Sequence, residues 1–179
     1  TRRDGDVNRH AGRNGAIVRR FALLLLVALI LIADQGTKAL ARDSLRGEGA
    51  HPYAFLTLLY TENSGAFLSM GSNLPEQLRA AIFDGFVTLA VIASLAAALS
   101  GRIGRTADEV ALALIAAGGA GNLIDRIHFR GVVTDFMILG TPSLHTGVFN
   151  VADMAITAGV LWLMVSWSAA VRKRKTARE

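Results

Sequence analysis

The chain has 179 residues, of which 52% are hydrophobic, with a formal net charge of +5 and no cysteine. Its mean hydropathy of +0.41 exceeds what a soluble domain of this length needs, so one polytopic membrane domain is expected. The absent cysteines exclude disulfides, thiolate metal sites and cysteine nucleophiles, and the basic residues, which sit outside apolar blocks without interleaved aromatics, read as topology signals and not as a nucleic-acid surface.

Residues 1–16 are polar, lack an apolar period and read as a disordered cytoplasmic tail. The first apolar block, 17–33, carries Arg19 and Arg20 near its start, placed to snorkel to headgroups. No small-x-small cleavage site ends it; it runs into Asp34-Gln35-Gly36-Thr37-Lys38, so it reads as a spanning helix and not as a cleaved signal. Residues 53–61 are rich in strand formers, and Asn63-Ser64-Gly65 follows as a turn signal. Leu74-Pro75-Glu76 opens the second block, 78–99, which meets Asp84 early. The third block, 110–124, contains Gly118-Gly119-Ala120-Gly121, small residues that let helices approach closely, and ends at Asp125-Arg126. Another β-leaning run covers 131–139, and the fourth block, 151–171, stops at Arg172-Lys173-Arg174-Lys175 within a basic cytoplasmic tail, 172–179. The expected fold is all-α and integral to the membrane: a four transmembrane helix bundle over 17–171, with a small extracytoplasmic β-rich element. The first and third blocks fall short of the roughly 20 residues a span needs, so their polar ends must lie in or near the membrane, facing the protein interior.

Four spans place both termini on one side, and the basic clusters make that side the cytoplasm. Asp34, Asn63, Asp125, Asp135 and Asp153 then gather near the outer face. A carboxylate at the edge of an apolar stretch needs a partner, a water-filled cavity or a function. Asn150-x-x-Asp153 reads equally as a helix cap and as a catalytic element. Asp135 alone reads as a loop aspartate; with Asp153 across the same outer loop it reads as half of a carboxylate pair, the minimal equipment of an aspartic protease. Asp125 reads as the partner of Arg126 and as the rival of Asp135. Asp34 and Lys38 have the spacing of a helical ion pair, and the sequence leaves Asp84 undecided. The scattered His51, His128 and His145 lack ligand spacing, so no metal site is read.

Five blocks in order, Asp34-Gln35-Gly36-Thr37-Lys38, Asn63-Ser64-Gly65-Ala66-Phe67, Gly121-Asn122-Leu123-Ile124-Asp125-Arg126, Val133-Thr134-Asp135-Phe136 and Phe149-Asn150-Val151-Ala152-Asp153, make the chain resemble bacterial lipoprotein signal peptidase, signal peptidase II. Two positions depart from that pattern. Ala117, Gly118 and Gly119 stand where the family has Gly-Gly-Ala, and Thr146-Gly147-Val148 replaces its Trp and Pro. The resemblance implies a multi-pass aspartic endopeptidase of the bacterial inner membrane. Such an enzyme removes the signal peptide from diacylglyceryl-modified prolipoproteins before the lipidated cysteine, needs no cofactor and is inhibited by globomycin-type peptides. It implies Asp135 and Asp153 as the catalytic dyad. Asp34, Lys38, Asn63, Gly65, Asn122, Asp125, Arg126, Asn150 and Ala152 are implied as substrate-binding or supporting residues, with membrane lipid as a further partner. The rival reading is a small transporter or a proton- or cation-conducting bundle, which predicts acidic residues along a path through the membrane.

Overall fold

The computed structural model describes residues 2–64 and 76–176. Four helices, α1 (Arg2–Ser44), α2 (Glu76–Ser100), α3 (Thr106–His128) and α4 (Val151–Thr176), carry a small sheet of β1 (His51–Tyr53), β2 (Leu56–Asn63), β3 (Val133–Thr141) and β4 (Leu144–His145). Gly65, with the rest of its motif to Phe67, lies outside the described residues.

The helices match the apolar blocks but run past them. α1 begins at Arg2, overlapping the segment read as a tail, and continues through Asp34 and Lys38 to Ser44 without a break. α3 likewise carries Asp125 and Arg126 as its last turn. Three helices are long and apolar enough to cross a membrane, Asn14–Ser44, Thr106–His128 and Val151–Arg172, whereas the described apolar stretch of α2, Asp84–Ser100, is shorter. α3 is the central element and packs against the other three helices. Half of its apolar stretch is buried, while little of those of α1 and α4 is, as suits lipid-facing surfaces.

The close packing of α3 on α4 has a steric cause. A Cβ on Gly118 would run into the Ala152 carbonyl oxygen, and one on Gly121 would stand 2.5 Å from Asp34 Oδ2. Only hydrogen at these two positions lets the start of α4 and the carboxylate of α1 reach the α3 backbone. Buried Ala113, Ala116 and Ala117 continue the same small-residue surface.

The sheet is antiparallel, in the order β1-β2-β3-β4. The run 53–61 is not one strand: a turn at Ala54, with φ +51°, splits it into β1 and β2. Along β2 and β3 the register pairs Thr61 with Asp135 and Asn63 with Val133, after a shift between Leu58 and Thr61. Residue 149 also bridges to Met137, which brings the end of the outer loop, and hence the first residue of α4, back to β3. The sheet therefore rests on one end of the bundle and delivers Asp135 to the start of α4.

Gly118→Val should lower the thermal-unfolding midpoint of the purified protein, because overpacking typically costs about 1–3 kcal/mol. Gly85→Ala, whose Cβ meets nothing within 4 Å, should leave the midpoint unchanged or raise it slightly. Equal midpoints for both variants would remove close helix approach as the role of Gly118.

Candidate active site

Asn150 immediately precedes α4 and caps it. Its Oδ1 accepts from the Asp153 backbone N–H at 2.9 Å, and Asp153 Oδ2 accepts in return from the Asn150 N–H at 3.2 Å. This reciprocal pair satisfies two otherwise orphaned donors at the helix start and fixes the Asp153 carboxylate. The same asparagine turns its side-chain amide to Asp135 Oδ1 at 2.7 Å, with longer contacts to Asn122 Oδ1 at 3.1 Å and the Thr134 carbonyl at 3.3 Å. Asn150 is fully buried, so one side chain caps the helix and spans both aspartates. The sequence set cap against catalysis as two readings; the cap is present, and it touches both carboxylates.

Each aspartate has a second amide donor. Asn63 Nδ2, from the end of β2, donates to Asp135 Oδ2 at 2.9 Å, and Asn122 Nδ2, from α3, donates to Asp153 Oδ1 at 2.8 Å. Asp135 is buried at 2% exposure, whereas Asp153 is partly exposed. The pair therefore has one inner and one outer member.

Beneath the pair lies the only fully buried ammonium among the described residues. Lys38 Nζ meets Asp34 Oδ2 at 2.8 Å, Asn122 Oδ1 at 2.9 Å and Asp125 Oδ2 at 3.6 Å. Asp34 Oδ1 accepts from the Ala152 N–H at 2.9 Å, so α1 supplies a further cap to α4. Asp125 accepts from the Thr134 N–H at 2.9 Å and lies 3.8 Å from Arg42 Nη1. Arg42 in turn donates to Thr134 Oγ1 at 2.9 Å and stacks over Phe129. Gln35 Nε2 bridges Asp34 and Asp125 at 3.0 and 3.3 Å.

The expected Asp125–Arg126 pair is thus corrected. Adjacent residues on a helix do not face each other. Asp125 turns inward to Lys38 and Arg42, while Arg126 pairs with Asp84 on α2 at 3.6 Å, which gives Asp84 a partner. The structure brings Asp34, Lys38, Asn63, Asn122, Asp125, Asp135, Asn150, Ala152 and Asp153 together; Arg126 faces α2 instead. Sequence reasoning passed over Gln35, Arg42 and Thr134. The signal for Arg42 was its position one turn beyond Lys38 on the Asp34–Lys38 face.

Lys38 and Arg42 are engaged directly by Asp34 and Asp125, and the Lys38 charge reaches Asp135 only as a minor pull against its raised pKa. The negative charge of Asp153 disfavours ionisation of Asp135. Burial, reinforced by the Asp153 charge, raises Asp135 from 3.8 to about 6 against the opposing pull of its Asn63 and Asn150 hydrogen bonds.

A signal peptidase (SPase) II family model matches residues 26–169. The chain is 34% identical to the lipoprotein signal peptidase of Serratia marcescens over 160 residues, covering 89% of this chain and 91% of that protein. It is 39% identical to that of Hydrogenovibrio crunogenus over 145 residues, covering 79% and 81%. Its fold is similar to a solved structure described as a bacterial membrane enzyme determined in meso at 1.9 Å, with a TM-score of 0.65 and 24% identity over 82% of this chain and 92% of that one. The chain belongs to the signal peptidase II family and is a membrane protein.

The raised Asp135 pKa means that the folded state binds this proton more tightly than the unfolded chain. Stability should therefore fall as pH rises from 3.8 to about 6 and level off above. Thermal-unfolding midpoints taken across that window should decline for the unaltered protein and decline less for Asp135→Asn. The same slope in both would assign the titration to another group.

Proposed function

We propose that this member of the signal peptidase II family is an aspartic endopeptidase that cleaves diacylglyceryl-modified prolipoproteins before the lipidated cysteine, with Asp135 and Asp153 as its dyad. The observation that carries this reading is Asn150, which caps α4 and bonds both carboxylates, Asp135 through its side-chain amide and Asp153 through its backbone N–H, while Lys38 is engaged by Asp34.

Asp153, the more exposed member, is the ionised one and takes a proton from a water whose oxygen attacks the scissile carbonyl carbon. Asp135, whose burial favours the protonated form, gives its proton to the carbonyl oxygen. As the tetrahedral intermediate collapses, Asp135 takes back the proton it gave the oxygen, the carbonyl re-forms, the C–N bond breaks and the proton on Asp153 passes to the departing amine of the lipidated cysteine. The former signal peptide leaves with the new carboxyl group. Asn63, Asn122 and Asn150 hold the two carboxylates in the geometry that lets them share one water. Asp34, Lys38 and Asp125 support that frame, and the acyl chains of the substrate lie among the membrane lipids between helices. Globomycin-type peptides inhibit by occupying the dyad.

The domain organisation that fits this activity is one four-span unit over 17–171 flanked by cytoplasmic tails, in the bacterial inner membrane, with the dyad near the outer face. A conducting bundle is the weaker reading. Glu109, buried at the far end of α3 beside Arg19 at 3.3 Å, is a second intramembrane carboxylate, but residues 110–121 between it and the site carry no charge. Reporter fusions at Lys175 and Glu48 should lie on opposite sides of the membrane; the same side for both would sink the four-span arrangement.

Asp135→Asn and Asp153→Asn should each reduce single-turnover cleavage of a lipidated prolipoprotein by about 10²–10⁴-fold while the protein stays folded and inserted. Asn150→Ala should lose about 0.5–2 kcal/mol of stability, cleave roughly 10- to 100-fold more slowly and bind globomycin more weakly. Full cleavage by Asp135→Asn together with none by Asp125→Asn would transfer the inner catalytic role to Asp125. Unchanged cleavage by a destabilised Asn150→Ala would leave Asn150 a helix cap alone.

A further inference from the structure

At the end of the bundle opposite the proposed dyad, α3 and α4 touch at Gly159, where a Cβ would stand 2.5 Å from the Ala111 carbonyl oxygen, and a groove lies beside that contact. Val110, Ala111, Leu114, Ala158 and Trp162 line an open groove of about 490 Å³ with an almost wholly apolar wall. That is within the roughly 300–1,000 Å³ of small-molecule sites. Ala111 and Ala158 contribute only methyl groups to this lining, which leaves space that longer side chains would fill. The groove lies in the parts of α3 and α4 that are apolar enough to cross a membrane, so it opens to lipid and not to water.

Two cross-links stand at its end. Arg105 Nη1 donates to Ser166 Oγ at 3.0 Å, and Trp162 Nε1 donates to Asp108 Oδ1 at 2.9 Å. They hold a cation and an anion side by side, Arg105 Nε lying 4.0 Å from Asp108 Oδ2, with the arginine side chain 57% exposed. A pair at that distance adds little to stability; the guanidinium is open to a ligand, and the Asp108 side chain, 15% exposed, presents its Oδ2 beside it.

We propose that this groove binds a phospholipid whose headgroup carries both a phosphate and a primary ammonium. One acyl chain lies along Val110, Leu114 and Ala158. The phosphate accepts from the Arg105 guanidinium beside the N-terminus of α3, whose dipole favours an anion. The ammonium donates to Asp108. A glycerol headgroup brings no ammonium to Asp108, and a choline headgroup has no N–H to donate. The inference is independent of the dyad and needs only that α3 and α4 lie in a bilayer.

The chain has two tryptophans, and Trp167 is 73% exposed, so Trp167→Phe leaves Trp162 as a reporter within the groove. The test places that full-length variant in phosphatidylcholine bilayers containing a minor fraction of acyl-brominated lipid with an ethanolamine, glycerol or choline headgroup. The ethanolamine lipid should quench Trp162 at about a tenth of the concentration the other two need, the gain of one charge-assisted hydrogen bond. Arg105→Ala should abolish that preference. Asp108→Asn, which keeps an acceptor for Trp162, should abolish it as well. Ala158→Phe, which fills the groove, should weaken quenching by all three. Equal quenching by the three headgroups in the Trp167→Phe protein would overturn the proposal, as would stronger quenching by the glycerol lipid. The first outcome means unselective surrounding lipid, the second simple attraction of anions, and neither depends on how the other variants fold.

Discussion

A buried ammonium ion is the constraint on which the rest of this structure depends. Taking Lys38 out of water carries a desolvation cost of several kcal/mol, so it must be matched by charge and by hydrogen bonds at the same depth. Asp34, Asp125 and the Asn122 carbonyl supply them. These partners come from α1 and α3, which fixes the relative height and rotation of the two helices. The pairing also engages the positive charge at this depth, so that burial and the nearby Asp153 charge outweigh the pull of Lys38 on Asp135. The structural ion cluster and the Asp135–Asp153 pair proposed as the dyad are two halves of one charge balance.

Asparagine is the residue type that joins those halves. Each of Asn122 and Asn150 presents an acceptor in one direction and a donor in the other. Asn122 accepts from Lys38 and donates to Asp153; Asn150 accepts from the Asp153 backbone and donates to Asp135. A charged residue at either place would upset the balance, and an apolar one would leave carboxylate oxygens without donors in a dry environment. Asn63 closes the arrangement from the sheet. The β2–β3 register is thereby tied to the chemistry of the helices below it.

Much of this was legible in the sequence because it follows from local periodicity. The apolar blocks marked the helices, the turn of spacing between Asp34 and Lys38 marked their ion pair, and Asn150-x-x-Asp153 marked the cap. What escaped depends on how elements turn toward each other. Asp125 and Arg126 are neighbours in the chain but point to different helices, a divergence that follows from the helical repeat. Arg42 and Gln35 acquire meaning only when α1 is set against β3 and α3. The turn at Ala54 breaks a continuous β-forming run without glycine, proline or asparagine at its centre, so composition gives no warning of it. Glu109 and Arg19, in two different helices, are likewise united by packing alone.

The bond from Asp34 to the Ala152 N–H links residues 118 positions apart, and its consequence concerns the order of assembly. The acceptor emerges in the first helix and waits, with Lys38, for a donor in the last. Until α4 has docked, the Asp153 carboxylate has neither Asn122 nor Asn150 to hold it. A chain arrested before its final helix therefore holds a paired lysine and aspartate but not the proposed dyad. In a protein that works on peptides lying in the same bilayer into which it is being inserted, competence arrives with the last segment and not gradually.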